Sequence, residues 1–92
     1  MIKVIEITNI AKKDLKKIPD HIRSKFHFWV IAVEENGIDY VRKIKSFHDE
    51  PLHGKRFGQR SIRLSKAYRA IYSIKKTHIE FLLIEEVNKH EY

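Results

Sequence analysis

The stretch Ser61-Ile62-Arg63-Leu64-Ser65-Lys66-Ala67-Tyr68-Arg69-Ala70-Ile71-Tyr72-Ser73-Ile74 decides the fold. Residues 61–64 alternate polar and apolar, the pattern of a half-buried strand. Residues 65–67 read as a hairpin turn. Residues 68–74 are rich in aromatic and β-branched side chains and read as a second strand. Two strands joined by so short a turn pair antiparallel, and that brings Arg63 near Arg69.

Downstream, Lys76-Thr77 reads as another turn. Residues 79–84 are almost wholly apolar, which predicts a central strand buried on both faces, and residues 85–92 read as a short tail. Just upstream, residues 48–58 hold Pro51, Gly54 and Gly58 and read as loop. Before the loop the period becomes helical. Ile38, Val41 and Ile44 suggest a helix ending near Phe47. Ile22, Phe26, Trp29, Val30 and Val33 predict a longer one, with Asp20 as its N-cap and an end at Asn36-Gly37. Ile10, Ala11, Leu15 and Ile18 give the first helix its apolar stripe, capped by Thr8 or Asn9 and stopped by Pro19. Residues 2–8 alternate as an N-terminal strand. A strand, two to three helices and then three strands predict an α+β fold, with the helices on one face of a four-stranded, largely antiparallel sheet. The other face would carry Arg63 and its neighbours and be open to a ligand.

At 92 residues, the chain is expected to be one domain spanning 1–92. It has no Cys, which excludes disulfides, a thiol nucleophile and thiolate-bound zinc, and fits a reducing, cytoplasmic compartment. No apolar run approaches a membrane span, and the N-terminus does not read as a signal peptide. No metal and no cofactor is expected: His48 and His53 lie close in sequence but form no recognised ligand pattern, and there is no phosphate-binding glycine loop.

Nineteen Lys+Arg against 12 Asp+Glu give a formal charge of +7. The excess is concentrated, since residues 51–79 contain no acid but hold Lys55, Arg56, Arg60, Arg63, Lys66, Arg69, Lys75 and Lys76. Such a field attracts phosphate. With Phe57, Tyr68 and Tyr72 interleaved, it suits a surface that grips phosphates and stacks bases. An anionic protein partner would satisfy the same charge. Lys55, Arg56, Arg60, Lys66 and Tyr68 are the candidate RNA-binding residues.

Four features can carry chemistry. Glu50, before Pro51 and Leu52, is either a general base beside a cationic surface or an ordinary loop carboxylate. Arg63 and Arg69 can clamp a phosphate across the hairpin. His90 can transfer protons near neutral pH, and Tyr92 can stack or donate its hydroxyl. Lys55-Arg56 is a phosphate-gripping pair.

In element order, this chain resembles the RelE/ParE superfamily of bacterial toxin–antitoxin toxins, and among them the mRNA-cleaving RelE, YoeB and HigB-like members. Glu50-Pro51-Leu52 with Gly54 looks like the family's loop before the paired strands. Ser61-Ile62-Arg63-Leu64 and Tyr68-Arg69-Ala70-Ile71-Tyr72 look like those strands. Val87-Asn88-Lys89-His90-Glu91-Tyr92 is similar to the catalytic C-terminal segment. The resemblance implies a type II toxin that is a metal-independent endoribonuclease. It would cut mRNA, on the ribosome, by 2′-hydroxyl attack. Glu50 would be the base, Arg69 the phosphate-stabilising arginine, and His90 the group for acid or phosphate chemistry. Tyr92 falls near the family's terminal Tyr, although one residue separates it from His90 where YoeB-like members have the two adjacent. Arg63 stands where RelE-like members use Lys. The resemblance also implies a cognate antitoxin, and the +7 charge gives it an acidic segment covering the basic sheet. A ParE-like inhibitor of DNA gyrase, non-enzymatic on the same fold, is the alternative.

Overall fold

The computed structural model describes residues 1–77 and 80–89. Its elements run β1 (Val4–Ile7), α1 (Asn9–Lys17), α2 (Asp20–Asn36), α3 (Ile38–Val41), β2 (Glu50–Pro51), β3 (Gln59–Arg63), β4 (Tyr68–Lys76) and β5 (Glu80–Lys89). Short 3₁₀ turns occupy Lys45–Phe47 and Gly54–Arg56. The sheet order is β1-β5-β4-β3-β2, with β1 parallel to β5 and every other pair antiparallel. Among the described residues no helix is long and apolar enough to cross a membrane.

The α+β expectation holds, with three refinements. Glu50 and Pro51 lie within the expected loop, yet they pair with Ser61 and Arg60 and add a fifth strand. Proline lacks an amide donor, so an edge strand is where it fits. The third helix is shorter than its periodicity predicts: it ends at Val41, and a 3₁₀ turn carries the chain to Phe47. The tail expected from residue 85 continues instead as β5 through Lys89, past a bulge between Ile71 and Tyr72 of the partner strand.

Helix ends are tied to the sheet. Thr8 caps α1 by accepting from the Ala11 amide at 3.0 Å, and its hydroxyl donates to the Glu85 carbonyl at 2.8 Å. Asp14 accepts from the Val87 amide at 3.0 Å, just beyond the bulge. Arg23 donates to the Leu15 and Ile18 carbonyls, satisfying the end of α1. Pro19, and not Asp20, occupies the cap position of α2, with no side-chain cap bond; Asp20 starts the helix and pairs with Arg23.

Ile22, Phe26, Trp29 and Val33 of α2 are buried against the sheet, where the Trp29 and Tyr72 rings lie 5.4 Å apart. Register settles the faces, because directly opposed residues in antiparallel strands share one. Pro51, Arg60, Tyr72 and Ile84 form one row, and Tyr72 and Ile84 place it on the helix side. Glu50, Ser61, Ile71 and Glu86 form the adjacent row, on the open side. Arg63, Arg69 and Asn88 form the next open-side row.

Asp49, whose side chain is 1% exposed, turns inward. Its carboxylate accepts from Arg60 Nε at 2.6 Å and from the Tyr72 hydroxyl at 2.6 Å. Burial and the neighbouring Asp49 charge push the Tyr72 phenol well above the usual tyrosine range, with Arg42 pulling the other way. Burial opposes the charge on Arg60, but Asp49 outweighs it and raises its pKa.

Two predictions follow from this packing. Gly37 sits at φ +83°, ψ 156°, open to glycine alone, between the Val33 carbonyl its amide meets and the Ile38 amide that donates to the Ile2 carbonyl. Gly37→Ala should cost about 1–3 kcal/mol in chemical denaturation, from backbone strain. Met1, whose Cγ would lie 2.4 Å from the added Cβ, can swing aside and contributes less. For Tyr72, the folded chain holds the phenol proton more tightly than the unfolded chain, whose tyrosines ionise near pH ~10. That stabilisation is complete below about pH 10 and is lost as pH rises above it. Tyr72→Phe should cost about 1–3 kcal/mol at neutral pH by unbonding a buried carboxylate oxygen. It should also flatten the alkaline fall in unfolding free energy, measured by denaturation from pH 7 to 11 in parallel with wild type.

Candidate active site

The open face of the sheet carries a shallow cavity of about 30 Å³. It admits one small polar group, such as a phosphate oxygen, and not a nucleobase. His48, Glu50, Arg63, Lys66, Tyr68 and Arg69 line it, with Ser61 and Ser65. A carboxylate, two guanidinium groups, an ammonium and an imidazole therefore meet at one place.

The hairpin sets the arginines. Ser65 Oγ accepts from the Ala67 and Tyr68 amides at 3.1 and 3.2 Å, and the Leu64 amide donates to the Tyr68 carbonyl at 2.9 Å. That closed turn puts Arg63 directly opposite Arg69. Like charges so placed repel. Asn88 accepts from Arg69 Nε at 3.4 Å, and among the described residues neither arginine forms an ion pair. A bound anion relieves that repulsion.

The anchor of Asp49 sets the other wall. Strand alternation sends Glu50 to the opposite side from Asp49, and the left-handed turn at His48 brings its side chain beside Glu50. His48 Nε2 lies 3.6 Å from Glu50 Oε2, and both side chains are about half exposed, at 53% and 56%. At that exposure the pair adds little to stability and stays within reach of a substrate. His48 has left-handed backbone, φ 46°, ψ 50°, and its amide donates to the Lys45 carbonyl at 3.0 Å.

The sequence-predicted residues divide. Glu50, Arg63, Arg69, Lys66 and Tyr68 come together at this cavity. Arg60 does not: it is bound to Asp49 on the helix side, where it lines a second cavity with Arg42, Leu52, Phe57 and Ile74. Arg56 donates to Glu86 at 2.8 Å and to Gln59 at 3.0 Å, and Gln59 in turn donates to Glu85. Lys55 is exposed on a 3₁₀ turn and does not line the cavity. The acid-free run is thus partly neutralised by acids from outside it. His90 and Tyr92 lie outside the described residues; the last described pair, Tyr68 with Lys89, ends β5 beside the cavity. Sequence reasoning passed over His48. Its place beside Glu50 depends on the left-handed backbone at His48 and the two-residue strand that follows, neither of which residue spacing shows. Among the described residues no three of His, Cys, Asp or Glu gather to hold a metal ion.

Residues 5–90 match the model of a family described as the ParE toxin of type II toxin–antitoxin system, parDE. No curated protein matches the chain. Among solved structures, it is similar to a YoeB/ParE toxin from Agrobacterium tumefaciens, at 15% identity and TM-score 0.73, covering 96% of this chain and 99% of that one. It is similar to YafQ from E. coli strain BL21(DE3), at 20% identity and TM-score 0.72, covering 94% and 91%. In the toxin–antitoxin complex RelBE2 from Mycobacterium tuberculosis the figures are 22%, 0.65, 98% and 100%. These likenesses share the fold described above, and the family model spans nearly the whole sequence. The chain belongs to the ParE toxin family of type II toxin–antitoxin systems, within the RelE/ParE superfamily.

Proposed function

We propose that this toxin is a metal-independent endoribonuclease that cleaves mRNA on the ribosome. The observation that carries this reading is the meeting of Glu50 with Arg63, Arg69 and Lys66 around one open cavity. RNA brings its own nucleophile. Glu50 takes the proton of a 2′-hydroxyl as its oxygen bonds to the adjacent phosphorus. The bond from phosphorus to the 5′-oxygen breaks, and that oxygen takes a proton from His90, the donor expected from the sequence. The products are a 2′,3′-cyclic phosphate and a 5′-hydroxyl. Arg63 and Arg69 hold the phosphate and stabilise the charge that grows on it, which removes the need for a metal. Tyr68, partly buried and packed against the core, bounds the cavity's edge.

The cognate antitoxin of this toxin carries an acidic segment that covers the open face and neutralises the two arginines. Solved complexes of similar toxins with partners, DinJ-YafQ and YoeB-YefM, support a partner of that kind.

The family description favours a second reading, a non-enzymatic inhibitor of DNA gyrase. One pair of assays separates them. On translating ribosomes, wild type should produce cuts at a fixed codon position with 2′,3′-cyclic phosphate ends. Glu50→Gln should slow cutting about 10²–10⁴-fold, and Arg69→Ala about 10²–10³-fold. A supercoiling assay should show gyrase unaffected. Gyrase inhibition with intact mRNA would replace the nuclease by the binder.

A further inference from the structure

We infer that His48 is a positioning residue for Glu50: standing beside the carboxylate on the same cavity wall, it fixes the orientation in which Glu50 faces the cavity. The inference rests on the nuclease reading.

Three observations carry it. His48 Nε2 lies 3.6 Å from Glu50 Oε2, and both line the cavity that Arg63, Lys66 and Arg69 share. His48 holds a left-handed backbone that a side chain makes costly, although glycine would fit there without strain. The segment keeps that conformation because Asp49, the next residue, is fixed by Arg60 and Tyr72. A residue whose backbone is held by its neighbour presents its side chain in one direction, here at the cavity wall beside Glu50.

The placement also defines the role. In-line displacement puts base and acid on opposite sides of the phosphorus. His48 stands beside Glu50, on the same wall, so it is not the donor to the leaving oxygen. Acting on Glu50 is what its position allows. Its ring, 3.6 Å from Glu50 Oε2, restricts the rotamers open to the carboxylate and keeps it facing the cavity that Arg63 and Arg69 line.

The test uses His48→Gly, with His48→Asn as the second variant, because asparagine tolerates the left-handed conformation but does not reach Glu50. Both are measured on ribosome-bound mRNA by single-turnover and steady-state cleavage. His48→Gly should keep or raise Tm while kcat falls about 10–100-fold, with KM within about twofold; His48→Asn should fall in kcat likewise. In a Glu50→Gln background, His48→Gly should cost less than about twofold, because a residue that works through another adds nothing once that one is gone. Wild-type kcat in both variants would overturn the inference and leave the nuclease standing. A raised KM at unchanged kcat would overturn it too, making His48 a substrate contact. So would losses that multiply in the double variant. Wild type that cuts no RNA at all would remove the nuclease reading, and this inference with it.

Discussion

The buried carboxylate of Asp49 is the constraint on which the rest of the site depends. A strand of two residues, Glu50 and Pro51, has too few ladder bonds to hold its own register. Asp49 supplies the missing restraint by accepting from Arg60 of β3 and Tyr72 of β4. Burying a charge is costly, and such pairs are poor evidence of stability. What this one gives is geometry. With residue 49 turned into the core, strand alternation turns Glu50 outward, over the same cavity as Arg63 and Arg69.

The disposition of acids explains which cations remain available. Asp49 occupies Arg60, and Glu86 occupies Arg56. Arg63 and Arg69 stand opposite each other on paired strands and line the cavity together with Glu50. A sheet that only needed stability would not oppose two arginines in register. Two cations so placed repel each other, and an anion bound between the strands would relieve that repulsion, which is the arrangement the proposed phosphate site uses.

Much of the fold was legible because burial imposes a period. Ile22, Phe26, Trp29 and Val33 mark the buried face of α2, and the hairpin from Ser61 to Ile74 follows from alternation and a tight turn. The edge strand was not legible. Two residues are too few for a period, and Pro51 and Gly54 are loop signals in any context. β5 was cut short in the sequence reading because its bulge at Glu85-Glu86 interrupts the apolar run, and the Asp14 bond to Val87 that supports its continuation joins residues far apart in the chain. At the site, Glu50, Arg63 and Arg69 were legible as charges. The partners of Arg56 and Arg60 were not, since pairing depends on tertiary contacts that no spacing encodes. His48 was not legible either, because its place beside Glu50 comes from a left-handed backbone that no periodicity marks.

The division between faces also explains how one scaffold serves different chemistries. The core draws on the helix-side row, with Tyr72 and Ile84 packed under α2. The cavity draws on the open-side rows, and its charged side chains are exposed or half-buried. Changes at residues 48, 50, 63 and 69 alter what the cavity can do at little cost to the packing, because the core makes no use of those side chains. Changes at Asp49, Arg60 or Tyr72 act the other way, through the backbone that aims Glu50. The likeness in fold to structures at 15–22% identity is a likeness of architecture, and it does not by itself carry the chemistry of the open face. Function in this chain must therefore be argued from the few side chains around its cavity, where an acid meets two guanidinium groups that form no ion pair among the described residues, the combination on which the proposed phosphodiester cleavage rests.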